Sequence, residues 1–177
     1  MRKTPSFTGL HVTILHREDG NTEKLVRQLR LLGMRATVQW SPLDPANLPD
    51  IVMVDADGGW DDLLPFQSDA APRPVLAMLA SEAPGRVTWA LSKGAGAIIA
   101  KPVASSAIYP ALVMAVALHQ ERQEVMDRIQ HLEERVRLRP LVHRAVERLM
   151  SAQGVDEDQA YRALRECAMR RRIKYFQ

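Results

Sequence analysis

Asp50-Ile51-Val52-Met53-Val54-Asp55 and Gly94-Ala95-Gly96-Ala97-Ile98-Ile99-Ala100-Lys101-Pro102 are the stretches on which the fold turns. Each is an apolar run too short for a helix, flanked by turn-forming residues and closed by a charged side chain. Apolar residues in unbroken succession, rather than in alternation with polar ones, mark a strand covered on both faces, as in a parallel sheet. Working outward, His11-Val12-Thr13-Ile14-Leu15 reads as a first strand, residues 35–40 alternate as a second, and Pro74-Val75-Leu76-Ala77-Met78-Leu79 reads as a fourth. Asn21 opens an amphipathic helix with Leu25, Val26, Leu29 and Leu32 on one face and Gly33 at its C-cap. A Pro-rich turn (Pro42, Pro45, Pro49) precedes the third strand, and Val87, Ala90 and Leu91 line a short helix before the fifth. The pattern predicts five βα units in order: an α/β, doubly wound, flavodoxin-like parallel sheet over residues 1–104. Its functional edge lies at the C-terminal ends of the strands.

From Ser105 onward the chain changes to all-α character. Positions 111, 115, 118, 122, 125, 129, 132 and 136 hold Ala, Ala, Leu, Arg, Val, Ile, Leu and Val at alternating spacings of four and three. That is a heptad seam with one polar member, Arg122. It predicts a helix over residues 106–139, about 50 Å long. The seam, with Leu118, Val125, Ile129, Leu132 and Val136 as its apolar members, is covered either by a second copy in a parallel coiled coil or by the chain folding back on itself. Pro140 marks a boundary, since it can begin a helix but sits poorly inside one. Beyond it, Leu141, Val142, Ala145, Val146 and Leu149 form one face and Gly154 ends that helix. Asp156 and Gln159 form a capping box for a further helix burying Ala160, Ala163, Leu164, Cys167 and Ala168, with a third segment starting near Arg171. The division is thus 1–104, 105–139 as a dimerisation helix, and 140–177 as a small helical unit.

Charge is distributed unevenly. Residues 1–104 carry 11 basic and 11 acidic side chains, whereas residues 160–177 carry six basic against one acidic. A basic terminal patch on a neutral body suits a polyanion partner, and it equally describes a solvated helix end. A single cysteine excludes a disulfide framework, and no apolar run approaches the ~20 residues that span a bilayer. Without an apolar stretch behind Met1-Arg2-Lys3 no signal peptide is expected, and the cytoplasm is the expected location. His11, His16, His119, His131 and His143 are scattered, with no nucleophile or metal-ligand spacing, so neither an enzyme nor a cofactor or metal is expected.

The run ending at Asp55, the Gly94–Pro102 stretch and the strand order resemble the receiver domain of response regulators. The resemblance implies that an Asp after the third strand accepts phosphate beside a Mg²⁺ held by two acids, a hydroxyl after the fourth strand and the Lys of a Lys-Pro pair. Asp55 and Lys101 match. The acid positions hold His16 and Arg17, with Glu18 and Asp19 one step late, and the hydroxyl position falls on Leu79 or Ala80, close to Ser81. The reading is a pseudo-receiver in which Asp55 is vestigial, its charge held by Lys101, His16 or Arg17. The alternative is a working phospho-switch that uses Glu18 or Asp19.

Ala145, Leu149-Met150, Gly154, Ala160, Leu164 and Ala168-Met169 resemble the pattern of the ANTAR family of RNA-binding antitermination modules. That resemblance implies a homodimer that binds two stem-loops in a leader RNA and answers to a ligand-sensing regulatory protein. Arg144, Arg148, Arg165, Arg170, Arg171, Arg172 and Lys174 are the candidate RNA contacts, with Tyr161 and Tyr175 as possible stacking groups. The family's third helix normally runs further than Tyr175-Phe176-Gln177, so it is expected to be incomplete here. The alternative function is a phosphorylation-gated regulator whose C-terminal helices dimerise or bind DNA.

Overall fold

A computed structural model describes residues 6–67 and 71–170. In chain order the elements are β1 (His11–Leu15), α1 (Gly20–Leu31), β2 (Arg35–Gln39), β3 (Ile51–Asp55), a 3₁₀ turn (Asp61–Leu63), β4 (Val75–Leu79), α2 (Pro84–Ser92), β5 (Ala95–Ala100), α3 (Ser105–Gln153) and α4 (Glu157–Arg170). The five strands form one parallel sheet in the order β2-β1-β3-β4-β5. Strand order reverses between β1 and β3, so the loops leaving those two strands part and open a crevice at the sheet's C-terminal edge.

Strand alternation sends β3 residues to both faces, and both faces are buried. Ile51 and Met53 join Val12, Ile14, Leu76, Met78 and Ile99 under α1 (Leu25, Leu29) and the first turns of α3 (Ile108, Leu112). Val52 and Val54 join Val75, Ala77 and Ala95 under Leu43, Leu63, Leu64 and Ala90. The close approach of α3 to β5 needs Gly96, where a Cβ would stand 3.0 Å from the Ala115 Cα. Asp19, rather than Asn21, caps α1. Its carboxylate accepts from the Asn21 and Thr22 amides, and its own amide donates to the Thr22 hydroxyl.

The expected five βα units are not all built. Helices follow β1, β4 and β5, but among the described residues no α-helix follows β2 or β3. Three prolines between residues 42 and 49 withhold backbone donors, and the segment instead packs Leu43 and, in part, Trp40 and Leu48 onto the sheet. On α2, Ala90 is buried and Val87 half-buried, while Leu91 faces outward.

The break expected at Pro140 is also absent: α3 is continuous through it to Gln153. Proline at that position forfeits one hydrogen bond, to the Val136 carbonyl, and strong helix formers on both sides (Glu133, Glu134, Arg135 and Leu141, Arg144, Ala145) carry the helix past it. Gly154, at φ 63°, ends the helix, its amide donating to the Met150 carbonyl.

By packing, the chain divides into two compact units, Met1–Arg122 and Gln123–Gln177. The first extends beyond residue 104 because the opening turns of α3 belong to the sheet's core. In the second, Val146, Ala160 and Ala168 are buried and Val142, Ala145, Leu149, Met150 and Leu164 half-buried. Ala163 and Cys167, expected inside, are exposed, because α4 buries a stripe narrower than the apolar set on it. The Asp156 carboxylate accepts from the Gln159 amide at 2.7 Å.

Candidate regulatory edge and nucleic-acid interface

Four loops converge at the C-terminal edge of the sheet. Lys101, after β5, places its ammonium 2.8 Å from Asp55 Oδ1 and 2.9 Å from Asp57 Oδ2. The Asp57 amide donates to Asp55 Oδ1 at 3.0 Å. The Asp57 carboxylate accepts from the Ala80 amide through both oxygens, at 2.9 and 3.0 Å, and from the Ser81 amide at 3.3 Å. Burial alone would raise the Asp57 carboxyl's pKa. The Lys101 ammonium and the two amides outweigh it and hold the group below the usual carboxylate value. Burial would likewise lower Lys101, but Asp55 and Asp57 together push it above the usual lysine value.

His16, after β1, is buried. Its Nδ1 donates to the Arg17 carbonyl at 2.6 Å, and its Nε2 lies 3.5 Å from Asp55 Oδ2 without a hydrogen bond. Arg17 does not reach Asp55; its guanidinium lies over the Trp40 ring at 5.5 Å. Trp40 in turn meets Trp60 edge to face, and Trp60 is 54% exposed. The acidic loop that holds it is anchored to α2: Asp61 accepts from Lys93 Nζ and from Trp89 Nε1, each at 2.9 Å.

This edge does not suit Mg²⁺. Asp19, one of the two late acids, is spent capping α1, with hydrogen bonds that hold its carboxyl low against the opposing pull of burial. Among the described residues no three His, Cys, Asp or Glu side chains gather as a metal site. Ser81 points its hydroxyl into its own turn, accepting from the Ala83 amide. The fourth loop thus offers Asp57 backbone amides and not a hydroxyl. Asp55 and Lys101 are legible in the sequence, but Asp57 is not singled out there. Its only signal is the Asp-x-Asp spacing, which places both carboxylates on one side of an extended chain.

The helical seam divides. Ala111 and Ala115 are buried in the chain's own sheet core and Leu118 is half-buried, whereas Val125, Ile129, Leu132 and Val136 are 43–61% exposed. Arg122, the polar member, is half-buried and donates to the Gly94 carbonyl at 3.2 Å. Of the candidate RNA contacts, Arg144 and Arg148 are exposed on α3, one turn apart, and Arg165 and Arg170 are exposed on α4. Arg144 Nε donates back to the Pro140 carbonyl at 3.3 Å. Tyr161 is exposed on α4. Arg171, Arg172, Lys174 and Tyr175 lie outside the described residues.

Two family models match this chain: AmiR, N-terminal, over residues 10–116, and ANTAR domain, over residues 130–176. The chain belongs to the AmiR family. It is 25% identical over 171 residues to the aliphatic amidase regulator of Pseudomonas aeruginosa, covering 94% of this chain and 87% of that one. To the transcriptional regulatory protein PdtaR of Mycobacterium tuberculosis it is 30% identical over 127 residues, covering 70% of this chain and 62% of that one. NtrX of Brucella abortus has a similar fold, with a TM-score of 0.52 at 13% identity over 74% of this chain and 35% of that one. The protein is therefore an ANTAR-type regulator with a receiver-like N-terminal unit, and the relatives it matches are regulators. Among the described residues, no helix is long and apolar enough to cross a membrane.

Within the AmiR family frame, the ANTAR match begins on α3 at residue 130, inside the exposed part of the seam. The helix that carries the seam thus also carries Ala145 and Leu149-Met150, and Pro140 lies within the ANTAR match without interrupting the backbone.

Proposed function

We propose that this protein is a cytoplasmic transcription antiterminator. In this reading it dimerises through residues 123–139, binds two stem-loops of a leader RNA through its ANTAR helices, and is governed by a ligand-sensing partner protein and not by phosphorylation. The observation that carries this reading is that Arg144, Arg148, Arg165 and Arg170 all face outward from the stretch that matches the ANTAR model. Guanidinium groups can pair with phosphates and stack on unpaired loop bases, the combination that RNA stem-loops require. Dimerisation is supported by the uncovered Val125–Ile129–Leu132–Val136 stripe, whose heptad spacing suits a second helix of the same kind. Control by a partner is supported by the poor fit of the sheet edge to Mg²⁺, the metal that phosphoryl transfer to an aspartate needs. The working division is a pseudo-receiver whose core takes in the opening turns of α3, a dimerisation stretch over 123–139, and an RNA-binding unit from 140.

A gel-shift titration against a tandem stem-loop RNA, with a scrambled RNA as control, tests the proposal. Selective binding is expected. Changing Arg148 and Arg165 to Ala should weaken it on every stem-loop sequence and lower the salt dependence by about one unit of slope for each phosphate no longer neutralised. Equal affinity for the scrambled RNA, or unchanged binding after both substitutions, would remove these arginines from the interface.

A further inference from the structure

We propose that the C-terminal edge of the sheet is a preformed oxyanion site that the chain fills with its own Asp57 carboxylate. The inference concerns the receiver-like unit alone and does not depend on RNA binding.

Three donors converge on this carboxylate from two other loops: the Ala80 and Ser81 amides and the Lys101 ammonium, at 2.9–3.3 Å. Two adjacent backbone amides and a lysine aimed at one point form the kind of concavity that holds a phosphate or sulfate. A carboxylate on a two-residue tether from Asp55 meets the same donors without any diffusing ligand. Asp55 is engaged as well. Its Oδ1 takes the Asp57 amide and the Lys101 ammonium, and its Oδ2 faces the buried His16 Nε2.

An oxyanion arriving beside Asp55 would have to displace Asp57 from three charge-assisted hydrogen bonds and then sit among carboxylates without a metal. The internal anion therefore does two things. It excludes external phosphate, and it ties the loop after β4 to the loop after β3 as a bound oxyanion would. The unit is held in its occupied arrangement from the moment it folds, and a regulatory input must reach it through a surface other than this crevice.

The full-length protein, labelled with ¹⁵N, is titrated with inorganic phosphate while the amide signals of Ala80 and Ser81 are followed. In the wild type these two signals should stay still. In Asp57→Ala they should move in a saturable way, with affinity at least about tenfold above any wild-type response. Adding Lys101→Ala to that variant should abolish the shift. Wild-type amides that respond to phosphate as the variant does, or Asp57→Ala amides that do not move, would overturn the proposal. Should Asp57→Ala fail to fold, acid titration of the wild type decides. The Ala80 and Ser81 amides must then shift together with the Asp57 carboxyl, and amides that stay fixed while Asp57 takes up its proton overturn it.

Discussion

Residues 105–122 and 123–139 of α3 share one heptad spacing and one unbroken backbone, yet their apolar residues have opposite surroundings. Ile108, Ala111 and Ala115 of the first stretch are sealed against the sheet, while Val125, Ile129, Leu132 and Val136 of the second stand open to solvent in the single chain. The crossover falls at Arg122, whose guanidinium reaches the Gly94 carbonyl beside β5. A heptad pattern therefore specifies that an apolar stripe will be covered, but not by what. In the first stretch the chain's own strands do it. In the second the residues stay 43–61% exposed within the single chain.

This comparison can be tested by substitutions along the one helix. The largest effect is expected at Leu112, which is fully buried. Leu112→Ala should cost ~2–5 kcal/mol in urea unfolding and leave self-association unchanged. Leu132→Ala should do the reverse. The receiver-like unit should keep its unfolding midpoint, while sedimentation equilibrium shows dimerisation weakened roughly tenfold to a hundredfold, or ~1.4–2.8 kcal/mol. A Leu132→Ala protein that self-associates as the wild type does would break the assignment of the second stretch to a partner copy. Arg122→Ala tests the boundary. It should destabilise the first unit by ~1 kcal/mol through the unpaired Gly94 carbonyl and leave association alone. A change in oligomeric state would place Arg122 in the seam proper.

The smallest effect is one of pH, confined to the first unit. Asp57's carboxyl is held below 3.8, its ordinary value, so the stability it contributes is present in full above that pH and is lost as the pH falls through the depressed value. The difference in unfolding free energy between the wild type and Asp57→Asn should therefore hold from neutral pH down to that region and shrink below it. A difference that stays constant into strong acid would show that the Lys101 and amide contacts do not set the protonation of this group.

Much of the architecture is legible along the chain. The strands at His11–Leu15 and Ile51–Asp55, the α1 face bearing Leu25 and Leu29, and the Gly154 stop all follow from periodicities that neighbouring residues write locally. The pairing of Asp55 with Lys101 is legible through the receiver resemblance. Where reading along the chain falls short, effects from elsewhere in the chain decide the outcome. Pro140 reads as a terminator because its local penalty is certain, but the helix formers on both sides outweigh it. The Pro-rich turn expected after β2 is indeed a packed loop, and it is the count of five βα units that overstates the helices. Cys167 and Ala163 read as core because they are small and apolar, but the buried stripe of α4 passes them by.

Strand identity, helix phase, the missing acid pair and the basic character of the C-terminal helices were determined by the sequence alone, because each depends on which residues stand within a few positions of one another. Tertiary structure alone decided that Asp57 joins Asp55 on Lys101 at the sheet edge and that one heptad stripe is buried at one end and exposed at the other. The Ala80 donor to Asp57 lies 23 residues away along the chain, and the Lys101 donor to Asp55 lies 46 away. Pairings of that separation have no local periodicity to announce them. They exist only once β3, β4 and β5 lie side by side and their loops are brought to one edge.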